Sequence, residues 1–187
     1  MMRKIILASG SPRRRELLKD IGINFEIYKP DVDEKKLNHE KPEDLCLRLS
    51  RMKAKAGAKK FPDSIIIAAD TIVVIDNKIL GKPHDREDAF NMLKTLQGRE
   101  HEVITGVSVA LNGKVISHAE HTLVKFIALN DDEIREYIST GECDDKAGAY
   151  AIQGKGATLI EGINGDYFNV VGLPLCALSK MLKDFRS

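Results

Sequence analysis

Apolar, mostly β-branched residues fill positions 65–75, IIIAADTIVVI, almost without a break. Such a run predicts a strand buried on both faces. Asp70 and Thr71 interrupt it. A turn at Asp76-Asn77, a short strand and then Gly81-Lys82-Pro83 follow, a hairpin pattern that would fold Lys82 back along the strand carrying Asp70. Upstream, 5–8 reads as a strand that ends in the small-residue turn Ser9-Gly10-Ser11. Ser11 is a natural N-cap, with Pro12 at the first helical position and Gly22 placed to end the helix. Leu17, Leu18 and Ile21 give that helix its apolar side. Residues 25–28 form a second strand, and the polar stretch 29–41, with Asp31, Asp33 and Glu34, a loop. From 42 to 61 the apolar positions Leu45, Leu49, Met52 and Ala56 step along one helix face. Lys53 lies beside that stripe, where most lysines only snorkel.

Asp85 caps a helix running to Leu96, with Ala89, Leu93 and Leu96 inward and Gly98 as its stop. Val103, Thr105, Val107, Val109 and Leu111 alternate as a strand, and Asn112-Gly113 is a two-residue hairpin signal returning the chain through 115–128. His118 and His121 fall on opposite faces of that return strand and make a poor metal pair. A capped helix over 130–139 is closed by Gly141. The segment 144–156, DDKAGAYAIQGKG, is rich in Gly and Ala, with a buried-looking Tyr150 and one amide, Gln153. Residues 157–163 and 167–171 read as a hairpin about Asn164-Gly165, and Pro174 opens a last helix with Leu175, Leu178, Leu182 and Phe185 inward. Hairpins and crossovers alternating with helices predict an α/β domain, a mixed twisted sheet flanked by helices. No linker divides the chain, so 1–187 reads as one domain; 114–163 is a candidate lobe without a definable boundary.

Composition narrows the functions. Basic residues number 29 against 28 acidic, a net charge of +1, and 43% of positions are hydrophobic. That balance argues neither for nucleic acid nor for a membrane surface, so any anion site is a local cluster. Cys46, Cys143 and Cys176 are scattered and form no CxxC pair, which implies neither a disulfide framework nor a zinc knuckle and fits a reducing cytoplasm. The apolar run 5–8 is too short for a signal-peptide core, and no segment is long enough to span a bilayer.

Strand, small-residue turn and helix start make an anion-binding geometry at 9–12. Arg13, Arg14 and Arg15 crowd that first turn, where the helix dipole disfavours cations. A bound anion would compensate them. A basic surface patch is the plainer alternative, and the spacing matches neither GxGxxG nor GxxxxGK[ST]. A carboxylate in a buried strand, Asp70, needs a metal ion, a cationic partner or backbone donors. Arginines, carboxylate and Lys82 together are the parts a metal-dependent hydrolase of phosphate esters or anhydrides needs.

The motifs LASGSPRRRELL at 7–18, DVDE at 31–34, RMKAKA at 51–56, AADTIV at 68–73, GKP at 81–83, DKAGAYAIQG at 145–154 and INGDYFNVVGLPL at 163–175 run in order from end to end. This set closely resembles the Maf (septum formation) family of nucleoside triphosphate pyrophosphatases. The resemblance implies a fold like that of the inosine-triphosphate pyrophosphatases and cleavage between the α- and β-phosphates, giving a nucleoside monophosphate and pyrophosphate. It implies Asp70 as the catalytic carboxylate, accepting a proton from water, and Glu34 with Asp70 as holders of a divalent cation, Mg²⁺ or Mn²⁺. Ser9, Arg14, Lys53 and Lys82 are implied as holders of the triphosphate, and a homodimer as the assembly. Arg13, Thr71 and Gln153 resemble the branch that acts on dTTP and UTP; the branch acting on 7-methyl-GTP has another residue after the Asp and a glutamate in place of the Gln. A Gln amide can meet both the O4 acceptor and the N3–H donor of thymine or uracil. Without the family context, Gln153 reads more readily as a loop amide that satisfies local backbone. A nucleotide-sensing regulator of septum formation that binds without turnover is the alternative from another class. A nucleic-acid binder through Arg13–Arg15 is the weakest reading, since no wider basic surface or aromatic interleaving supports it.

Overall fold

The computed structural model describes residues 3–185 and has α/β architecture. Its strands are β1 (Ile5–Leu7), β2 (Glu26–Ile27), β3 (Ile65–Ile75), β4 (Lys78–Leu80), β5 (Glu100–Leu111), β6 (Lys114–Phe126) and β7 (Ile160–Asn164). Its helices are α1 (Pro12–Asp20), α2 (Pro42–Lys60), α3 (Arg86–Leu96), α4 (Asp131–Ser139), α5 (Tyr167–Val171) and α6 (Leu175–Lys183). The strands pair in the order β2-β1-β3-β5-β6-β7, with β4 on β3. The sheet is mixed: β1 runs parallel to β2 and β3, whereas β3–β4 and β6–β7 are antiparallel. Contacts divide the chain into two compact units, one of residues 1–70, 105–120 and 172–187 and the other of 71–104 and 121–171.

In the first unit, β1 lies in register on β3, Ile5 to Ile65 and Leu7 to Ile67. Ile6, Ala8, Ala54, Ile66, Ala68 and Ala110 make a core of small and β-branched side chains. The buried side of α2 is Leu45, Cys46, Leu49, Ser50, Ala54 and Gly57, rotated from the predicted Leu45–Ala56 stripe so that Met52 and Ala56 are only half-buried. Close approach explains the rotation. A Cβ on Gly106 of β5 would stand 2.5 Å from the Cys46 carbonyl oxygen, and one on Gly57 would stand 2.6 Å from Ile66. Helix and sheet meet through their smallest residues, so those residues define the contact face. A chain of hydroxyls ties the same helix down: Ser50 to Ser108 and Ser108 to Ser117, each at 2.8 Å.

In the second unit the predicted turn chemistry is present. Asp76 and Asn77 take φ of 50° and 59°, the conformation of a primed two-residue turn, and β4 folds back with Val73 opposite Leu80. Asp85 Oδ1 accepts from the Asp88 amide at the start of α3. Asn130 and Glu133 form a reciprocal capping box on α4. One expectation is corrected. Residues 167–171 are helix α5, and β7 pairs instead with β6, Leu123 opposite Asn164. The cause is Asp166, whose Oδ1 accepts from the Phe168 amide and caps a helix start, and Asn169, whose Nδ2 donates to the Val103 carbonyl and to Thr122 Oγ1. The strand expected from the alternation of 103–111 is β5, and Ile104, Ser108 and Ala110 are buried as well as Val103, Thr105 and Val107, because both faces of the strand are covered.

The core of the second unit gathers around an aromatic triad. Phe126 and Tyr150 rings stand 4.8 Å apart edge to face, and His101 is within 5.3 Å of both. His101 is 3% exposed. Its Nε2 is 2.7 Å from Tyr150 Oη and its Nδ1 has no partner. Burial lowers its pKa from 6.5 to about 4. Between those values the unfolded chain takes a proton that the folded chain refuses, so stability falls as pH drops from 6.5 towards 4. The loss is on the order of 3 kcal/mol if the unfolded group is unperturbed. Denaturant unfolding at neutral pH and near pH 4.5 measures it. His101→Gln is expected to flatten that dependence; an unaltered slope would assign it to other groups.

Candidate active site

The first unit brings together Ser9, Arg14, Glu34, Lys53 and Asp70. Ser11 occupies the N-cap position of α1, but its hydroxyl makes no capping bond and the first turn holds no acidic residue. Instead Ser9 Oγ accepts from the Ser11 amide at 3.2 Å and from Arg14 Nη1 at 3.1 Å. The helix start is therefore left open towards an anion while its arginine is braced. Arg14 Nε donates to the Gly172 carbonyl at 2.7 Å. Desolvation lowers Arg14 from 12.5 to about 10, with Asp70 and Glu34 pulling the other way and Arg13 adding repulsion. Arg14 is thus still a cation at neutral pH, and a poorly hydrated one, which suits capture of a phosphate group.

Asp70 sits at the middle of β3, the sixth of its eleven residues. Its side chain is 13% exposed, and its Oδ1 accepts from Lys53 Nζ at 2.7 Å. The same ammonium is 2.8 Å from Glu34 Oε1, on the loop between β2 and α2. Lys53 is therefore no snorkelling surface lysine: at 11% exposure it is a cation seated between two carboxylates. Glu34 is presented by a clasped loop. Arg48 on α2 grips Glu40 with Nε and Nη2 at 2.6 and 2.8 Å, and Nη2 also donates to the Lys35 carbonyl at 2.9 Å. The pairing with Arg48 holds the Glu40 carboxyl down at about 2, so the clasp stays charged at any working pH.

Thr71, Lys82 and Gln153 lie in the second unit. Lys82 stands two residues beyond Leu80, whose strand partner is Val73. The Gly81 carbonyl accepts from the Gly148 amide at 3.0 Å, tying the Gly81-Lys82-Pro83 turn to the 145–154 segment. Gly148, at φ 70°, packs on Val73 so closely that a Cβ there would be 3.0 Å from its methyls. Lys82 is exposed. Gln153 is half-buried just before a 3₁₀ turn, Gly154–Leu159, and among the described residues its amide has no hydrogen-bond partner. It does not serve local backbone.

Residue type alone gives no role to Gly172 or Arg48. Gly172 falls inside a recognised motif, but a carbonyl acceptor leaves no signature in residue type. Arg48 and Glu40 are eight apart across a loop–helix junction, a spacing outside the helical pair rules.

Residues 4–185 match the family model described as Maf-like protein. The chain is similar to the dTTP/UTP pyrophosphatase of Symbiobacterium thermophilum, 48% identical over 184 residues, which is 98% of this chain and 95% of that protein. It is 50% identical to the dTTP/UTP pyrophosphatase of Pyrococcus furiosus over 97% of this chain and 95% of that one. Against the dTTP/UTP pyrophosphatase of Thermoanaerobacter sp. strain X514 the identity is 53%, over 96% and 95%. Among solved structures, the Ham1 protein of Staphylococcus aureus superposes with a TM-score of 0.48 at 16% identity, covering 66% of this chain and 72% of that one.

Proposed function

Since the chain belongs to the Maf family, we propose that it is a nucleoside triphosphate pyrophosphatase that hydrolyses dTTP and UTP to the monophosphate and pyrophosphate, with 1–187 acting as one pyrophosphatase domain. The observation that carries the reading is the convergence of Asp70, Lys53 and Glu34, with the desolvated Arg14 feeling the charge of both carboxylates.

In this reading a water attacks the α-phosphorus and the bond to the α–β bridging oxygen breaks. Asp70 accepts the water's proton. Its Oδ1 is held by Lys53, which fixes the carboxylate's rotamer and leaves the second oxygen for the water. Arg14 and Ser9 at the open start of α1, with Lys53 and Lys82, take the charge of the triphosphate. Arg13, Thr71 and Gln153 set the base, Gln153 through an amide that the protein itself leaves unpaired.

The residues fit a divalent cation. Glu34 and Asp70 already converge on one positive group, the Lys53 ammonium, and both offer hard oxygen donors. Among the described residues no set of three or more His, Cys, Asp or Glu gathers to hold a metal alone. Mg²⁺ or Mn²⁺ held by Glu34 and Asp70 would take its other ligands from phosphate oxygens and water, as Mg²⁺ commonly does. When bound it supplies neutralisation of charge on the phosphate oxygens.

The three free cysteines fit the cytoplasm, and no described helix is long and apolar enough to cross a membrane. A homodimer, without nucleic-acid or membrane partners, completes the proposal. The test is a panel of dTTP, UTP and 7-methyl-GTP in Mg²⁺ or Mn²⁺ with product identification. Monophosphate and pyrophosphate from dTTP and UTP are expected. Preference for 7-methyl-GTP would overturn the substrate, and affinity without pyrophosphate release would favour a nucleotide-binding regulator.

A further inference from the structure

An arginine recognises a phosphate by geometry as well as by charge, because its donors lie in one plane. A long, flexible side chain presents that plane usefully only where something else sets it. Arg14 is held at two nitrogens of its guanidinium. Nε donates to the Gly172 carbonyl at 2.7 Å, and Nη1 donates to Ser9 Oγ at 3.1 Å. Two bonds to different nitrogens of one rigid group fix both its direction and its roll. Both partners are neutral, so they hold the cation without cancelling the charge that a phosphate would meet. Gly172 is 158 residues away in sequence, so this hold is made by the fold and not by the local chain.

The carbonyl is delivered by a stiff piece of chain. Gly172 has φ of +125°, well outside the left-handed helical well that Asn or Asp can enter, so glycine alone sits there without strain. Leu173 is fully buried and precedes Pro174, whose ring confines it to extended backbone. The Pro174 carbonyl accepts from the Leu178 amide at 2.9 Å in the first turn of α6, and Leu175 and Leu178 are buried. Residues 172–178 are thus tied by a proline ring, a helix bond and the core, and the Gly172 carbonyl moves only with them.

We propose that Gly172 is a positioning residue for the triphosphate: its carbonyl sets the plane of the Arg14 guanidinium at the open start of α1, and its glycine backbone aims that carbonyl. The inference rests on the reading that Arg14 takes charge of the triphosphate. It assigns Gly172 no contact with substrate.

The test measures kcat/KM for dTTP, and the affinity for the non-hydrolysable α,β-methylene-dTTP, in the wild type, Gly172→Ala, Arg14→Lys and the double variant. Gly172→Ala is expected to lower both quantities about 10-fold. Lysine keeps the positive charge at position 14 but has no Nε–H for Gly172 to accept. In the Arg14→Lys background, Gly172→Ala is therefore expected to cost less than about twofold more. A merely structural role for Gly172 would cost the same factor in both backgrounds; that result, or no effect of Gly172→Ala on the wild type, overturns the proposal. Where Gly172→Ala does not fold, a backbone ester between Gly172 and Leu173 weakens the same carbonyl as an acceptor and leaves the glycine in place, and the same two comparisons decide. Arg14→Lys alone separates the two levels. If it leaves affinity and rate intact, Arg14 does not hold the triphosphate and the role of Gly172 falls with it; if it weakens both and the change at Gly172 does not, the positioning role fails alone.

Discussion

Asp70→Asn folds, binds nucleoside triphosphate and turns it over about 10³-fold more slowly than the wild type. The substitution is isosteric and keeps an oxygen that Lys53 Nζ can donate to, where Asp70 Oδ1 now accepts at 2.7 Å. Lys53 also keeps Glu34 at 2.8 Å, so the ammonium is never left buried without a counter-charge. Proton acceptance and one negative charge are removed, and with that charge part of the hold that Asp70 and Glu34 would have on a divalent cation. The charge-assisted bond becomes neutral, and the expected loss of stability is about 1–2 kcal/mol, within what a folded domain tolerates. Pyrophosphate release against dTTP reads the rate, and nucleotide affinity measured separately reads the binding. A variant within tenfold of wild-type kcat would remove Asp70 from the chemistry and leave it as a partner of Lys53. A second outcome separates enzyme from sensor: a protein that only binds nucleotide is indifferent to this substitution in every assay but affinity.

What the sequence disclosed and what it withheld divide along a physical line. Features made by neighbouring residues were legible. The run 65–75 is a strand because nine of its eleven positions carry the apolar pattern. Asp76-Asn77 and Asn112-Gly113 turn the chain because Asn, Asp and Gly tolerate positive φ, and the positive angles are there. Features made across the chain were not legible. Residues 167–171 carry a strand-like composition, yet Asp166 and Asn169 fold them into a helix through bonds to Phe168, Val103 and Thr122. Lys53 reads as a surface lysine until the loop bearing Glu34 is laid over it, and nothing in the 29–41 composition announces that the Arg48–Glu40 clasp puts it there. The same holds for Glu142, whose carboxylate accepts from the Lys155 and Gly156 amides, groups that any residue type would supply. Asp70 was the exception: a carboxylate inside an apolar strand announces a partner by its cost, and the partner is Lys53.

Gln153→Glu is expected to cut kcat/KM for UTP and dTTP by about 10²-fold, largely as a change in discrimination. The reasoning starts from atoms. The wild-type amide has a donor for O4 and an acceptor for N3–H, and no partner in the described protein competes for either. A carboxylate accepts from N3–H but turns a negative oxygen towards O4, another acceptor. One hydrogen bond is lost and one repulsion gained, together about 3 kcal/mol, and each 1.4 kcal/mol is a factor of ten. A guanine edge reverses the balance, because its N1–H and N2–H donors lie side by side and suit a carboxylate. GTP is therefore expected to lose less than UTP, or to gain, so that the GTP:UTP ratio rises even where absolute rates fall. Arg13 and Thr71 are unchanged in this variant, so a full exchange of substrate is not expected. The triphosphate and Asp70 are untouched, which makes kcat at saturation the internal control. If both nucleotides decline by one common factor, Gln153 holds the loop and does not read the base; if neither changes, base selection lies elsewhere, with Arg13 and Thr71 the next positions to vary.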